Sequence, residues 1–330
     1  MDYPFLGRTG VRVSQLAFGT MSFGGDADEA TSGAMFGCCR DAGINLFDCA
    51  DVYAGGRSEQ ILGRLIAPCR DEVVLTSKAY FPTSQDVNAR GSSRYHLVRA
   101  VEASLKRLNT DRIDVFFLHR YDDRASLEEV LRALEQLIQQ GKILYPAVSN
   151  FAAWQTARAL GVAERHGWAP IVCSQPMYNL VKRQAEVEIL PMAAAEGLAV
   201  LSYSPLGGGL LSGKYGAGAR PDTGRLVDNA MYRVRYGQPQ NDQIATAFTA
   251  LAKEVGHHPV SLAIAWVGAH PAITAPLVGA RNVEQLMPCL AAADIDMTDE
   301  LYQRISSLSP APPPATDRNE ETSAHNYGAR

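Results

Sequence analysis

The chain has 330 residues and a formal net charge of −4, and it is 46% hydrophobic, 20% charged and 8% aromatic. This is an ordinary globular composition, long enough to bury a sizeable core. Lys, Arg, Asp and Glu are interspersed throughout, so there is no basic stripe for nucleic acid and no acidic block for a solvating tail.

The opening residues, MDYPFLGRTG, lack the charged region and apolar stretch of a signal peptide. No apolar run approaches the length that crosses a bilayer. The segment LGRTGVRVS, with a turn at Thr9-Gly10, predicts a small N-terminal β-hairpin that caps the bottom of the fold. Eight short apolar segments rich in Val, Ile and Leu then recur: QLAFGT (15–20), INLFDCA (44–50), VVLTSKA (73–79), IDVFFLHR (113–120), ILYPAVSN (143–150), IVCSQPMYN (171–179), LAVLSYSP (198–205) and ITAPLVGA (273–280). They read as parallel strands buried on both faces. The intervening segments are helical in period. In SRYHLVRAVEASLKRL, Leu97, Val98, Val101, Leu105 and Leu108 share one face, with Ser92 or Ser93 as N-cap. In SLEEVLRALEQLIQQGK, Ser126 with Glu128 and Glu129 opens a helix and Gly141 ends it. Strand followed by helix, eight times, predicts an α/β fold: a (β/α)8 TIM barrel.

Length alone suggests two domains, but barrels of this kind reach this size as one, so residues 1–308 read as a single domain. The seventh unit is long. Residues 206–240 are glycine-rich and irregular before helical QIATAFTALAKEVG and VSLAIAWVGAH, and a loop of that length usually carries function. Residues 309–330 form a Pro-rich, polar C-terminal tail. Cys38, Cys39, Cys49, Cys69, Cys173 and Cys289 make no CxxC and no zinc-spaced cluster. They read as small hydrophobes with reduced thiols in a cytoplasmic chain without a structural metal.

In such a barrel the active site lies at the C-terminal ends of the strands. Asp48 ends the second strand, Lys78 the third, His119 the fourth and Asn150 the fifth; Gln175 and Tyr203 lie near the ends of the sixth and seventh. Tyr53 follows in the loop after Asp48. One polar strand end is a helix cap; six at one rim call for chemistry. A phenol with its ordinary pKa of about 10 is a poor acid at neutral pH, and a nearby ammonium lowers it. Lys78 supplies the ammonium, Asp48 holds it, and His119 orients a substrate oxygen. The set delivers a proton to a carbonyl oxygen and offers no nucleophile and no metal. A proton donor without an electron source implies a hydride-donating cofactor.

Asp48, Tyr53, Lys78 and His119 resemble the catalytic tetrad of the aldo-keto reductases. LGRTGVRVSQLAFGTMSFG, GINLFDCADVYAGGRSEQILG, VEASLKRLNTDRIDVFFLHR, GKILYPAVSNF, SQPMYNL, LSYSPLGGGLLSGKY and GARNVEQL continue the resemblance in order from residue 1 to about 292, in the manner of the microbial branch related to potassium-channel β subunits. The resemblance implies NADPH/NADP+ as cofactor and a small-molecule carbonyl substrate. It implies Tyr53 as proton donor, tuned by Lys78 and Asp48, with His119 orienting the carbonyl. Ser149, Asn150 and Gln175 would hold the nicotinamide carboxamide and Tyr203 would stack on its ring. Gly19, Thr20, Met21 and Asp48 would line the cofactor at the first two strands. Ser204, Pro205, Leu206, Gly209, Leu211 and Lys214 would follow the pyrophosphate, with Arg225 gripping a phosphate. Gly279, Arg281 and Gln285 would hold the adenosine end, Arg281 on the 2′-phosphate. The sequence departs from the family after Gln285: Pro288 and Cys289 stand where the family has a Glu and an Asn on adenine, which leaves NADH as a second candidate.

The stretch GGLLSGKY nearly spells a phosphate loop, but Tyr215 replaces the Ser or Thr that would ligate Mg²⁺. No GxGxxG follows the first strand, which disfavours a Rossmann dehydrogenase. Loops 21–27, 80–93, 120–125 and 212–240, with Met21, Phe23, Tyr80, Phe81, Arg120, Tyr121, Tyr232 and Tyr236, are expected to shape the substrate pocket. The leading function is NADPH-dependent reduction of an aldehyde, ketone or sugar. The alternatives are an NADP(H)-binding regulatory or redox-sensing protein like the channel β subunits, and a sugar dehydrogenase working oxidatively. Oligomeric state is open.

Overall fold

Short apolar segments that alternate with amphipathic ones bury both faces when they pair as parallel strands beneath a layer of helices. The computed structural model, which describes residues 1–215, 221, 222 and 224–326, realises this as eight parallel strands closed in chain order, with the last paired to the first. The strands are β1 (Ala17–Gly19), β2 (Leu46–Asp48), β3 (Val74–Ala79), β4 (Ile113–Leu118), β5 (Ile143–Ser149), β6 (Cys173–Gln175), β7 (Ala199–Ser202) and β8 (Ala275–Val278). The helices are α1 (Glu29–Asp41), α2 (Arg57–Ile66), α3 (Arg94–Leu108), α4 (Leu127–Gln139), α5 (Ala153–His166) and α6 (Ile189–Glu196). They continue with α7 (Arg225–Asp228), α8 (Ala230–Tyr236), α9 (Pro239–Glu254), α10 (Pro259–Gly268), α11 (Val283–Leu290) and α12 (Asp299–Ser306). None of the described helices is long and apolar enough to cross a membrane.

The helix signals act as expected. Ser93 Oγ accepts from the His96 N–H (3.2 Å) to open α3, and Ser126 Oγ accepts from the Glu129 N–H (3.2 Å) to open α4. α3 ends at Asn109 in the left-handed region, and Gly141, also left-handed, follows the end of α4.

Side chains alternate across each strand, which divides the core in two. Leu46, Val115, Phe117, Ala147, Cys173, Ala199, Leu201, Ala275 and Leu277 fill the barrel interior. Leu6 and Val13, both fully buried, join that cluster from the N-terminal segment and plug the bottom. The residues of opposite phase, such as Phe18, Phe47, Leu75, Phe116, Leu118 and Val148, pack outward under the helices. The predicted hairpin forms around the antiparallel bridge of Phe5 and Arg12: Leu6 N–H donates to the Val11 carbonyl (2.8 Å), Val13 N–H to the Pro4 carbonyl (3.0 Å) and Gln15 N–H to the Asp2 carbonyl (2.9 Å), while the Leu6 and Val13 side chains are buried against the barrel.

The long unit after β7 is more regular than its glycines suggest. A 3-10 turn, Gly207–Ser212, is followed by α7 and α8, whose Tyr232 and Tyr236 are buried. Residues 216–220 and 223 of this loop, and 327–330 of the tail, lie outside the described residues. The start of the tail is anchored: Arg183 Nη1 donates to the carbonyls of Ser306 (2.9 Å) and Ser309 (3.1 Å).

Candidate active site

The period of two carries the interior phase past the strand ends. Leu46 is followed by Asp48, Thr76 by Lys78, Phe117 by His119, Ala147 by Ser149, Cys173 by Gln175 and Leu201 by Tyr203. The same alternation that packs the barrel therefore aims six polar side chains into its mouth. Neighbouring register fixes their order around the rim, with Asp48 beside Thr76, Lys78 beside Phe117 and Ser149 beside Gln175.

Tyr53 is supplied by the β2–α2 connection. Ala54, Gly55 and Gly56 all take left-handed backbone, which turns the chain sharply after the tyrosine. A side chain at Gly56 would lie 2.8 Å from Arg107 Cδ, so the turn also needs its missing Cβ. Lys78 is fully buried and its ammonium has three partners: Asp48 Oδ2 (2.5 Å), the Cys49 carbonyl (2.7 Å) and the Tyr53 hydroxyl (3.5 Å). Asp48 Oδ1 accepts from Thr76 Oγ1 (2.6 Å) and Gln175 Nε2 (3.0 Å). The Tyr53 and His119 rings meet edge-on with centroids 6.1 Å apart, and Phe81 packs edge-on against His119 at 4.9 Å. The structure thus brings the four expected residues together.

The electrostatics depart from expectation at one point. Burial pushes the Tyr53 hydroxyl up; Lys78 pulls it down, Asp48 pushes it up again, and the result is about 12. Counting only the ammonium gives the wrong net sign, because desolvation of a phenolate outweighs it. Burial pulls Lys78 down, but Asp48 and Tyr53 raise it further, so it stays an ammonium. Burial, then Lys78, lowers His119 to about 3, which leaves a neutral imidazole at physiological pH. Its Nδ1 is buried and has no hydrogen-bond partner among the described residues. A proton there would strand a donor, so the N–H belongs on Nε2.

Behind the tetrad lies a network that sequence reasoning missed. Glu59, on α2 and fully buried, accepts from Ser77 Oγ (2.6 Å) through Oε1 and from Arg107 Nε (2.6 Å) through Oε2. The signal was available: Glu59 shares the face of Leu62 and Ile66, and an acid on an apolar face needs partners. Thr76, which holds Asp48, was likewise overlooked.

The residues expected around a dinucleotide fall into three groups. At β5–β7, Ser149 Oγ donates to the Gln175 carbonyl (2.9 Å). Asn150, left-handed, donates from Nδ2 to the His119 carbonyl (3.0 Å) and accepts at Oδ1 from the Tyr203 hydroxyl (2.7 Å). Ser204 is left-handed; its Oγ lies 3.0 Å from the Tyr236 hydroxyl and accepts from the Gly208 N–H (3.2 Å). Gly207, Gly208 and Gly209 continue the left-handed turn beside Leu206. Lys214, Arg225 and Arg281 form the second group: burial, then Arg281 and Arg225, lowers the Lys214 ammonium. Three like charges close enough to repel have the chemistry to hold phosphates, and the turn of glycines lets a backbone approach them. In the third group, Arg281 Nε pairs with Asp26 (3.0 Å), and Gln285 Oε1 accepts from the Arg281 N–H (3.3 Å). Gly19 and Gly279 lie side by side at the first and last strand ends: a Cβ on Gly279 would sit 3.4 Å from the Gly19 carbonyl. This set fits a phosphorylated dinucleotide.

Other expected contacts sit differently. Thr20 is buried, and its Oγ1 donates to the Asp48 carbonyl (3.0 Å) and lies 2.9 Å from Ser58 Oγ. Pro205 and Leu211 are buried, Leu211 within the α9–α10 core. Met21 is 43% exposed at the mouth. Phe23 was expected in the substrate pocket; instead it is fully buried against Phe18, because the chain reverses through hydrogen bonds between 20 and 27 and folds the ring inward. Cys289 is 2% exposed and faces the core, so the adenine-side departure at this position offers no polar group outward.

The sequence profile of the aldo/keto reductase family matches residues 15–310. The chain is 38% identical to the Bacillus subtilis protein named uncharacterized oxidoreductase YrpG over 323 residues, 94% of this chain and 97% of that one. It is 34% identical to a protein of Oryza sativa named probable voltage-gated potassium channel subunit beta, over 96% of this chain and 99% of that one. A protein of the same name from Arabidopsis thaliana is 35% identical over 89% and 92%. The barrel, the rim of polar strand ends and these likenesses define an oxidoreductase. The chain belongs to the aldo/keto reductase family.

Proposed function

We propose that the protein reduces a carbonyl of an aldehyde, ketone or sugar to an alcohol, in the cytoplasm, through one barrel domain of residues 1–308 that is followed by a tail. The observation that carries this is the triple engagement of Lys78, which joins Asp48 to the Tyr53 hydroxyl at the barrel mouth. NADPH, when bound, supplies the hydride. Lys214, Arg225 and Arg281 would hold its phosphates, Tyr203 its ring, and Gln175, whose amide nitrogen is committed to Asp48, would offer its oxygen to the carboxamide.

The chain's own residues do the rest. His119 Nε2–H hydrogen-bonds the carbonyl oxygen and fixes its position. Tyr53, with its hydroxyl near 12, is fully protonated at neutral pH and loaded to give its proton as charge develops on that oxygen. An alkoxide is comparable in basicity to hydroxide, so even a phenol of this strength transfers downhill. Lys78 then stabilises the phenolate. Phe81 shields His119, which keeps the imidazole neutral and the oxygen in a low dielectric. For the oxidative direction the same hydroxyl would have to be ionised first, which makes sugar dehydrogenation slow at neutral pH.

The channel-subunit names of two full-length relatives favour a second reading, tight NADP(H) binding in a regulatory protein with slow turnover. Steady-state NADPH oxidation with a panel of aldehydes, ketones and sugars decides. Rapid turnover that collapses in Tyr53→Phe, with NADPH affinity kept, is the expected result. Absence of turnover with every carbonyl, or a Tyr53→Phe variant as fast as wild type, sinks the reductase reading.

A further inference from the structure

Asp51 is 2% exposed, two residues before Tyr53, and among the described residues neither of its carboxyl oxygens has a hydrogen-bond partner. Its backbone N–H donates to the Lys78 carbonyl (3.1 Å), so its main chain is tied to the strand that carries the lysine. A buried carboxylate without partners is costly, and native structures avoid it or protonate it. The usual partners have gone to the neighbouring acid: Ser77 and Arg107 occupy both oxygens of Glu59. Burial and Glu59 on α2 push the Asp51 carboxyl up to about 7. Arg107 on α3, the Val52 N–H and Lys78 on β3 pull it down, the Val52 N–H without meeting hydrogen-bond geometry. With Ser77 and Arg107 both turned to Glu59, Asp51 is left as the unpartnered acid and holds its proton.

We propose that Asp51 is a positioning residue held as a neutral acid, and that its ionisation weakens the grip of Lys78 on Tyr53. Lys78 has three N–H bonds and three partners, and the contact to Tyr53 is the longest. An anion at Asp51, which feels the Lys78 charge, offsets part of that charge at the phenol oxygen, so the phenolate formed on proton transfer is less well stabilised. The neutral acid leaves that charge to Tyr53. The proposal rests on Tyr53 as proton donor.

Asp51→Asn keeps the shape of the neutral acid and cannot ionise. Reduction by the wild type is expected to fall by about tenfold as pH rises through neutrality, mostly in kcat rather than KM, and that limb is expected to vanish in Asp51→Asn. Carboxyl carbon-13 titration of aspartate-labelled wild type reads the same group without turnover and without a variant. One aspartate resonance that titrates near neutrality is expected; a protein whose aspartates are all ionised by about pH 5 overturns the proposal. So does an Asp51→Asn profile that superimposes on wild type. Tyr53→Phe separates the two failures: if it keeps turnover, the donor reading falls, and if it loses turnover while Asp51→Asn keeps the wild-type limb, only the role of Asp51 falls.

Discussion

Lys78 and Asp48 form an ion pair of 2.5 Å in which the side chains are 0% and 4% exposed. Such a pair is a weak source of stability against an apolar replacement, but removing one partner leaves a buried charge unmatched, at about 3–5 kcal/mol. Asp48→Asn is therefore expected to lower unfolding free energy by about that amount and to cost turnover as well. Adding Lys78→Met removes the stranded charge and is expected to recover part of the stability and none of the turnover. Urea unfolding of the two singles and the double measures the coupling; additive losses would show that the pair does not act as a unit.

The upward shift of Tyr53 fixes a pH signature for the reverse reaction. Oxidation of an alcohol needs the phenolate, and with the hydroxyl near 12 its fraction grows about tenfold per pH unit below that value. Oxidation with NADP+ by Asp51→Asn, which lacks the Asp51 transition near 7, is expected to climb with a slope near one from neutral pH upward. An oxidative rate that levels off near pH 8 would mean that the ammonium, not burial, governs the phenol. His119, held neutral down to about 3, contributes no limb between pH 5 and 7.

The rim was legible in the sequence because one rule places all of it. Asp48, Lys78, His119, Gln175 and Tyr203 each follow an interior residue by two positions, and eight apolar segments set that phase. What was not legible depends on groups far apart in the chain. Glu59 meets Arg107 across 48 positions, and nothing local in GGRSE names its partner. Phe23 looked like a loop aromatic because its burial comes from a reversal that the sequence does not announce. α7 and α8 were hidden by glycines at 207–209, yet one of them, Gly208, is what lets Tyr232 approach: a Cβ there would lie 2.6 Å from its Cδ1. The direction of the Tyr53 shift failed for the same reason, since burial is a property of the assembled site.

Asp51 links proton uptake to stability with a sign that can be checked. Its folded value, near 7, is above its ordinary 3.8, so the folded state holds the proton more tightly. The stability this contributes is full below about pH 4 and is lost as pH rises toward 7. Compared with Asp51→Asn, the wild type is expected to lose melting temperature across that window. A difference that stays constant with pH would show that Asp51 is ionised throughout.

Arg281 sits just before the cap of α11 and pairs with Asp26 at 3.0 Å on the surface. A charge-assisted contact to a phosphate is worth about 1.5–3 kcal/mol, roughly 10- to 150-fold in affinity. Arg281→Ala is expected to weaken NADPH by that factor and to leave NADH nearly unchanged. Asp26→Ala, which frees the guanidinium, is expected to tighten NADPH slightly. Fluorescence titration with both dinucleotides tests this; equal losses for NADPH and NADH would take the 2′-phosphate away from Arg281.

Gly63 shows how closely the helices behind the site must pack. A Cβ there would lie 2.3 Å from the Leu108 carbonyl oxygen and 2.5 Å from its carbon, both main-chain atoms of α3 that cannot rotate aside. Gly63→Ala gains about 1 kcal/mol of helix propensity and meets overpacking of about 1–3 kcal/mol. With backbone on the far side of the clash, the upper part of that range applies, so a net loss near 2 kcal/mol is expected. The damage should reach the site, because Glu59 lies one turn from Gly63 and Arg107 precedes Leu108. Separating α2 from α3 stretches the 2.6 Å contact between them and moves Glu59 and Arg107, the two groups that respectively raise and lower the Asp51 carboxyl. Urea unfolding together with the pH profile of reduction reads both effects. If the variant is as stable as wild type, the two helices have room that their spacing denies, and the coupling from this crossing to the tetrad is lost with it.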